Sequence, residues 1–522
     1  QSGAGLITIN GDIGVSGTPL QQLTLITNNS VSQAAGKTIH AGTLQLQGNG
    51  TFNLTSNVDN ANTSGTVGGA ITLTNGKALI LNGTGLAATG NIGLTTTSGA
   101  LTLSQALTSG GDVTLNLAAG AGGAGLLTGN NLVLQGGGAF GLNTSVNTLA
   151  TGSLTAGSTV TVSNNQALSV GSITATGGIS LTNTAGAGIT LNNTLNAGSG
   201  TIGLVWNGTV TQNAAATLTA GLLNLQGNNG GTTSLIVSGV GSVGTTGGGI
   251  SGGGNVLLAS SGSLGFNTFD AGANKVKVNS AGATVNGGAI VTADALQLTT
   301  SGAVNLNTSV NSLAANVTGG NGLTVSNNKA LVIDAVTTDS TTTGVTATGV
   351  SLTTSSGGIA LNQALDCNAG GLTLATASGV SQGASGQITD TGTVTLSGNG
   401  TFTLNNGSNA FTGLASNGAL GGALTALTTQ ALNVGNLNAG SNAVTLTAAG
   451  TTAGGTLSAG NLSVSGTGTF TLGTSVDTVT AGVTGSITIN ETNGFNVAAG
   501  GLTASGSGNS VTINTTSGSI GG

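Results

Sequence analysis

Charge is almost absent from this chain of 522 residues. Charged residues make up 3% of it, as five Lys, ten Asp and one Glu with no Arg, whereas about a quarter is usual in globular proteins. The five Lys are scattered, so there is no basic patch of the kind that nucleic acids or anionic lipids require. The composition therefore argues against nucleic-acid partners and against polybasic attachment to a membrane.

Tyr and Met are missing, and Pro, Cys, Trp and His each occur once. One Cys cannot form an internal disulfide, and one His without a cluster of Cys or further His makes no zinc site. No run approaches the roughly 18 apolar residues of a transmembrane helix, so no membrane span is expected. The start lacks a charged segment followed by an apolar one, so either there is no signal peptide or it has been removed.

Glycine and patterned apolar residues dominate what is present, with 99 Gly and 37% hydrophobic residues. A disordered low-complexity chain would have low hydrophobicity. Here Leu, Ile and Val alternate with Thr, Ser and Asn in strings such as "AITLT" (70–74), "TVTVS" (159–163) and "KVKVN" (275–279), with Gly and Asn-Gly turns between them. This alternation predicts strands with one buried face, and no stretch has helical periodicity. The chain is predicted to be all-β.

Longer strings recur along the chain. "VTVSNNQALSV" (160–170) returns as "LTVSNNKALVI" (323–333), and related strings begin with "VSQ" or "VTQ" at 31, 210 and 380. Such self-similarity is the signature of a repeat architecture, and we expect a single continuous β-solenoid over 1–522. The expected superrepeats are 31–209, 210–379 and 380–522. Residues 1–30 are expected to be the end of a preceding partial repeat.

A stack of coils fits these patterns better than an antiparallel sandwich, because a sandwich would not repeat its strands for so long without domain linkers. We predict a right-handed parallel β-helix, a β-solenoid, with about 20 residues per coil and roughly 25 coils. Strands ~4.8 Å apart would give an elongated rod on the order of 120 Å long. Aliphatic rows would fill the interior, and Thr, Ser and Asn would form outer ladders, where a charge repeated in register would repel its neighbours.

Two kinds of recurring slot are predicted to be interior. One slot follows a "G-x-G" string and holds an aromatic residue. The other is the Leu position of "VTVSNNQALSV" and its related strings, which holds Phe in one of them. The residues in these slots are Phe52, Phe140, Phe402, Phe470, Leu79, Leu168, Leu331, Leu432 and Phe495. In the recurring string "LNTSVNTLA" (142–150), Leu142, Val146 and Leu149 should also face the interior, while the polar residues between them turn the chain or form ladders.

Two single residues could carry chemistry, and each has a structural interpretation. His40 lies in a slot that Thr219 and Thr389 occupy in related strings, so an outward polar position is expected. Cys367 is interpreted as an extra turn residue. No basic neighbour stands near Cys367 in the sequence to activate it as a nucleophile.

Paired carboxyls would be needed for glycoside hydrolysis, at roughly 5–10 Å from each other. Asp334 and Asp339 are the closest pair in the sequence, but with one Trp, no Tyr and no Arg the chain offers few sugar-binding platforms. We predict no enzyme, no catalytic, cofactor-binding or metal-binding residue, and no cofactor.

Bulky residues outside the recurring slots are the remaining candidates. Trp206 is the single Trp, and Phe266 and Phe269 precede Lys275 and Lys277. The second group has two interpretations that the sequence leaves open. It could form a contact patch on the surface, or it could be ordinary packing at an edge of the solenoid.

The strings "NTSVNTLA" (143–150) and "VSNNQALSVGSITATGGISLTNTAGAGITLNN" (162–193) resemble the repeat regions of filamentous-haemagglutinin-like bacterial exoproteins. The resemblance covers nearly the whole chain as a style of repeat. It implies a right-handed β-helical shaft, export to the cell surface, and an adhesive or structural role. The Asn-Pro motifs of the N-terminal secretion domain in that group are absent here, which leaves the export route open.

Both ends of the sequence fall inside the repeat pattern with no cap, so the chain is expected to be a segment of a longer shaft or to stack head-to-tail on other copies. The leading hypothesis is a non-enzymatic extracellular structural protein, the shaft or subunit of a bacterial cell-surface filament. The alternative is an adhesin that binds a glycan or receptor through a surface patch. Ice binding through Thr rows and functional amyloid are disfavoured, because the Thr rows are irregular and the repeats are long.

Overall fold

The computed structural model describes residues 5–522 except 185, 187, 230–232, 238, 252–254, 262 and 282–283. Its described residues form β-strands and turns with no α-helix, so none of them forms a helix that could cross a membrane. Two compact units divide the chain, Gln1–Gly254 and Asn255–Gly522.

The strands of the first unit are β1 Ile7–Ile9, β2 Leu20–Ile26, β3 Val31–Gln33, β4 Ile39–Gln47, β5 Phe52–Thr63, β6 Ile71–Asn75, β7 Leu79–Leu81, β8 Leu86–Ala88, β9 Ile92–Thr96, β10 Leu101–Leu103, β11 Leu107–Ser109, β12 Val113–Leu117, β13 Gly120–Gly122, β14 Leu126–Gly136, β15 Ala139–Leu154, β16 Thr159–Asn164, β17 Leu168–Val170, β18 Ile173–Thr174, β19 Gly178–Asn183, β20 Ile189–Leu191, β21 Leu195–Asn196, β22 Thr201–Gly208, β23 Val210–Gln212, β24 Leu218–Asn229, β25 Thr233–Ile236 and β26 Gly239–Ser251.

The strands of the second unit are β27 Asn255–Ser260, β28 Leu264–Phe266, β29 Phe269–Asp270, β30 Lys275–Ser280, β31 Val285–Thr292, β32 Ala295–Thr300, β33 Val304–Ser309, β34 Ser312–Val317, β35 Leu323–Asn327, β36 Leu331–Ile333, β37 Ala335–Thr337, β38 Thr341–Thr343, β39 Val345–Thr346, β40 Val350–Thr354, β41 Ile359–Leu361, β42 Leu365–Asp366, β43 Leu372–Thr376, β44 Gly379–Gln382, β45 Ile388–Gly398, β46 Thr401–Leu404, β47 Ala410–Ser416, β48 Leu424–Leu427, β49 Leu432–Val434, β50 Leu437–Asn438, β51 Ala443–Ala448, β52 Thr451–Ala453, β53 Thr456–Gly466, β54 Phe470–Val483, β55 Ile487–Glu491, β56 Phe495–Ala504, β57 Val511–Thr515 and β58 Ile520–Gly521.

Parallel pairing between successive coils builds each unit. In the first, β6, β7 and β8 pair in parallel with β9, β10 and β11, which pair in turn with β12, β13 and β14. In the second, β40, β41 and β42 pair in the same way with β43, β44 and β45. Three strands therefore make one coil of about 20 residues, and the described chain holds about 24 coils. The prediction of an all-β parallel solenoid is confirmed.

Strict alternation within each strand sorts side chains between the interior and the outer surface. In β12, Val113 faces inward, and it lies in register with Ile92 of one neighbouring coil and Leu132 of the other. All three are at most 1% exposed. Each such aliphatic side chain contributes about 1.5–3 kcal/mol when it is fully buried. The in-register columns are therefore the main source of stability in the stack.

The recurring slots lie in the interior as predicted. The aromatic residues after "G-x-G" are fully buried, the residues of the Leu slot are at most 3% exposed, and the apolar residues of "LNTSVNTLA" are equally buried. These residues are Phe52, Phe140, Phe402, Phe470, Leu79, Leu168, Leu331, Leu432, Phe495, Leu142, Val146 and Leu149.

The first glycine of each "G-x-G" string lies at a corner where the next coil passes close by. Gly398 has φ 105°, and a Cβ built there would lie 1.9 Å from the carbonyl oxygen of Thr376 in the neighbouring coil. The other members also have positive φ and would place a Cβ 1.9–2.2 Å from a backbone oxygen; they are Gly48, Gly136 and Gly466. Only glycine fits this corner, which explains why the string recurs.

Buried asparagines clamp neighbouring coils together. Asn327 is 2% exposed, and its Oδ1 accepts hydrogen bonds of 2.9 Å from both Thr308 Oγ1 and Val310 N. Its Nδ2 donates to the carbonyl oxygens of Val310, Lys329 and Ala330 at 3.0, 2.8 and 3.3 Å. One amide thus satisfies backbone groups of two successive coils, as buried polar groups require.

The same clamp recurs elsewhere. Asn therefore has two places: some asparagines form the expected outer ladders, as Asn490 and Asn514 do at 2.9 Å, and others face inward, which was not expected. Asn75 and Asn164 are fully buried and bond a hydroxyl, an N–H and a carbonyl oxygen of the preceding coil. Glu491, 1% exposed, accepts hydrogen bonds from Thr474 Oγ1 at 2.7 Å and Val476 N at 3.3 Å in the equivalent way. These polar side chains face inward because the corner backbone needs partners there.

Candidate functional site

His40 alternates with inward-facing residues, in agreement with the outward polar position that the sequence predicts. It lies on β4 between the fully buried Ile39 and Ala41 and pairs in register with Asn57 of β5. The imidazole is half-buried, and its Nδ1 has no hydrogen-bond partner. Within the described part of the chain, no three His, Cys, Asp or Glu residues are grouped as a metal site requires.

Cys367 begins a turn, because its carbonyl oxygen accepts a 3.1 Å hydrogen bond from the N–H of Gly370, but its side chain lies in the interior, which the interpretation as a turn residue did not predict. It follows β42 directly and is 0% exposed, and its N–H donates to the carbonyl oxygen of Thr389 at 2.8 Å. Burial, and then the nearby carboxylates of Asp390 and Asp366, raise the pKa of the thiol well above its ordinary range. Because the thiolate is the nucleophilic form, this cysteine is chemically inert.

Asp334 and Asp339, the nearest pair of carboxyls in the sequence, belong to a hairpin that projects from the stack. The hairpin consists of β37 and β38, the antiparallel strand pair of the second unit. It folds back over the outer face of β32 and β34, where Val336 packs with Ala295 and Ala314. These three side chains are at most 4% exposed, so they form a small apolar cluster outside the solenoid interior.

Polar contacts anchor the tip of this hairpin. Lys277 Nζ lies 2.6 Å from Asp339 Oδ1 and donates to Ser340 Oγ at 2.7 Å. Gln297, which is buried beneath the tip, accepts a 2.6 Å hydrogen bond from Thr338 Oγ1 and donates to Thr342 Oγ1 at 2.9 Å. The Asp339 carboxylate is therefore committed to an ion pair and not to a catalytic partnership with a second carboxyl.

Acid should loosen the hairpin tip. The hydrogen bond from Lys277 lowers the pKa of Asp339, so the pair adds stability above the unfolded pKa, about 3.9, and loses it as the pH falls through the lower, folded value. Because Asp339 is largely exposed, the contribution is about 0.2–1 kcal/mol. Hydrogen exchange of residues 335–344 should speed up relative to its intrinsic rate below about pH 4. In the Lys277→Met protein the same amides should lose most of this pH dependence, and unchanged dependence would contradict the assignment.

The aromatic patch considered above lies inside the protein. Phe266 and Phe269 are 4% and 0% exposed, and their rings meet edge-to-face with centroids 5.5 Å apart. Both lysines donate hydrogen bonds to the hairpin: Lys275 Nζ to the carbonyl oxygen of Thr337, and Lys277 Nζ to Asp339 Oδ1. The interpretation as ordinary packing is confirmed, and these rings offer no surface for a glycan or receptor.

Trp206 is also an interior residue. It lies on the inward-facing side of β22, near the end of the strand, and is 2% exposed. Its Nε1 and the Oδ1 of Asn183, in the paired strand β19, are both buried without a hydrogen-bond partner. The indole is therefore a packing element and not a platform for a sugar.

An open groove of about 560 Å³ lies on the outer surface of the second unit. Hydroxyls of Thr324, Ser351, Thr373 and Thr395 follow one another in register along it. Its wall is formed by glycines, namely Gly322, Gly349, Gly370, Gly371 and Gly392. None of the lining residues is charged, and the groove offers hydroxyl and backbone groups for hydrogen bonds.

Comparisons with known proteins assign no family. A scan against protein-family models, a search of curated proteins and a search of solved structures each found no match. The function therefore has to be inferred from this chain's own residues and geometry.

Proposed function

We propose that this protein is a non-enzymatic extracellular structural protein, the β-solenoid shaft or a shaft subunit of a bacterial cell-surface filament. One observation carries the proposal: the described coils are built to stack. Apolar side chains lie in register with those of both neighbouring coils, as Val113 does with Ile92 and Leu132, and outer rows such as Thr324, Ser351 and Thr373 are uncharged hydroxyls. The resemblance of the repeats to surface exoproteins supports the location.

Stacking on a second copy would pair strands that have one partner strand each among the described residues. β1 and β2 pair with β3 and β4, and β57 and β58 pair with β55 and β56. Apolar side chains are exposed at these strands, with Leu20 at 40%, Val511 at 38% and Ile520 at 46%. An edge that offers backbone N–H and C=O groups beside apolar side chains favours pairing with another chain. Head-to-tail contacts of this kind do not close on themselves, so they build a filament.

Electron microscopy of the purified protein at neutral pH tests the proposal. We expect unbranched filaments of constant width whose length grows with protein concentration. Ile513→Asp places a charge in the column on which the next copy would stack, and should shorten the filaments by at least about tenfold, since a buried unpaired charge costs several kcal/mol.

Thr512→Asp is the matched control, because Thr512 neighbours Ile513 on β57 but alternates to the other face of the strand. It should leave filament length nearly unchanged. Discrete particles for the unmodified protein, or equal lengths for the two variants, would refute end-on stacking. Circular dichroism checks that both variants keep their β-structure.

A further inference from the structure

Asp390 is a carboxyl buried inside the solenoid. It lies on β45, two residues after the buried Ile388, and is 0% exposed. On one side, Asp390 pairs in register with Phe411 of β47. On the other side, the N–H of Cys367 donates to the carbonyl oxygen of Thr389, the residue that precedes Asp390. Phe411 and Cys367 are themselves fully buried, so the carboxyl lies between apolar surroundings.

Related coils fill this slot with alanine. "IHAG" (39–42) and "LTAG" (218–221) align with "ITDTG" (388–392), which places Ala41 and Ala220 where Asp390 lies. Both alanines are buried, at 0% and 4% exposure. The coil can therefore form without any polar group at this place, and the carboxyl is not needed to complete the fold.

Hydrogen bonding satisfies only part of the carboxyl. Oδ1 accepts a 2.8 Å hydrogen bond from the N–H of Gly392, whereas Oδ2 is buried and has no partner. Burial raises the pKa of Asp390; the backbone N–H groups of Gly392, Gly371 and Leu372 oppose the shift, and the charge of Asp366 adds to it.

Among the residues that the structure describes, no cation is found to offset the charge of this carboxyl. The titratable groups beside it are Asp366 and Cys367 of the neighbouring coil; the charge of Asp366 disfavours a second negative charge, and the Cys367 thiol is uncharged. The other strands against it, β43 and β47, have the sequences "LTLAT" and "AFTGLAS", which contain no titratable residue. Ionisation therefore leaves an unpaired charge in the interior, which is unfavourable.

We propose that Asp390 is a proton-binding site inside the solenoid, and that this coil is held more tightly when the carboxyl is protonated than when it is ionised. The protonated form is neutral, so it places no unpaired charge in the interior. A buried acid with a raised pKa adds stability below its unfolded pKa, about 3.9, and loses it as the pH rises through the folded value. The site thus makes one coil of the shaft sensitive to pH, whatever the chain assembles into.

Hydrogen exchange measured by mass spectrometry on the full chain between pH 4 and pH 9 tests this. After correction for the intrinsic exchange rate, the opening equilibrium of residues 388–416 should rise with pH by up to about tenfold per pH unit within a limited window, as expected for one proton. Residues 218–225, which have Ala220 in the slot, should show no such rise.

Three variants and one control variant decide the outcome. Asp390→Ala recreates the slot of the related coils and Asp390→Asn keeps the Oδ1 acceptor, and both should abolish the pH dependence. Asp366→Asn should move the window to lower pH, because it removes the charge that raises the pKa of Asp390. Asp477→Asn changes an exposed carboxyl and should have no effect. A flat profile in the unmodified protein, or a dependence that persists in Asp390→Asn, would overturn the proposal.

Discussion

Replacing Asn327 with Ala should lower the local free energy of unfolding by about 3–5 kcal/mol, whereas Asn328→Ala should change it by less than about 0.5 kcal/mol. The change at Asn327 removes five side-chain hydrogen bonds and leaves the N–H and C=O of Val310 buried without their partner. Each unsatisfied buried group costs about 1–3 kcal/mol. The side chain of Asn328, the next residue, is exposed, so the two variants differ only in which asparagine is lost.

The measurement should be local, because long repeat arrays do not unfold in one cooperative step. Native-state hydrogen exchange of residues 304–327 reports the opening of the affected coils. Equal protection in the two variants would mean that the buried amide is not a clamp. Asn327→Asp is an informative third variant, because it keeps the acceptor but loses the donor to three carbonyl oxygens.

Gly398→Ala should destabilise its coil by at least about 3 kcal/mol. The new Cβ would meet the carbonyl oxygen of Thr376 at 1.9 Å, and at φ 105° a residue with a side chain is strained even without that contact. Neither partner can yield easily, because both are backbone in paired strands. The coils around Gly398 would have to separate locally.

Gly407→Ala is the matched control. Gly407 lies in an exposed turn of the same region and is not among the residues with positive φ, and a Cβ added to it would meet no atom within 4 Å. Native-state hydrogen exchange of residues 372–404 should show easier opening for Gly398→Ala and almost no change for Gly407→Ala. Equal protection in the two variants would show that the corner can relax.

Much of the fold follows from the sequence because alternation and recurrence act together. In "TVTVSN", Val160 and Val162 alternate with polar residues, and the return of the string at 323 indicates stacked coils. Both features are local or periodic, so they can be recognised without knowledge of long-range contacts. The all-β parallel solenoid and its aromatic slots were predictable for that reason.

The inward polar residues were missed, although the same alternation contains the signal. Asn164 has the same spacing as Val160 and Val162, and Asp390 follows Ile388 by two residues, as Cys367 follows Leu365. Residue type suggested the surface, or a turn, while position in the strand indicated the interior. Spacing was the better guide, because a strand sends every second side chain to the same face.

The hairpin of β37 and β38 could not be placed from the sequence. Its anchor joins Lys277 and Asp339, which are 62 positions apart and belong to different coils. Nothing in the repeat pattern indicates that "DAVTTDSTTTG" (334–344) leaves the stack and returns to cover an earlier outer face. Only the assembled coils bring Val336 onto Ala295 and Ala314.

Because of the Asn clamps, the coil that a mutation destabilises is not the coil in which the mutated residue lies. Asn327 serves the backbone of Val310, 17 residues earlier, so damage at one position should first appear in the coil before it. Along the sequence, the positions at which substitutions are poorly tolerated would therefore lie about one coil after the backbone that loses its hydrogen-bond partners. The natural unit for interpreting variants of this protein is a pair of adjoining coils, with the later coil supplying the amide and the earlier one depending on it.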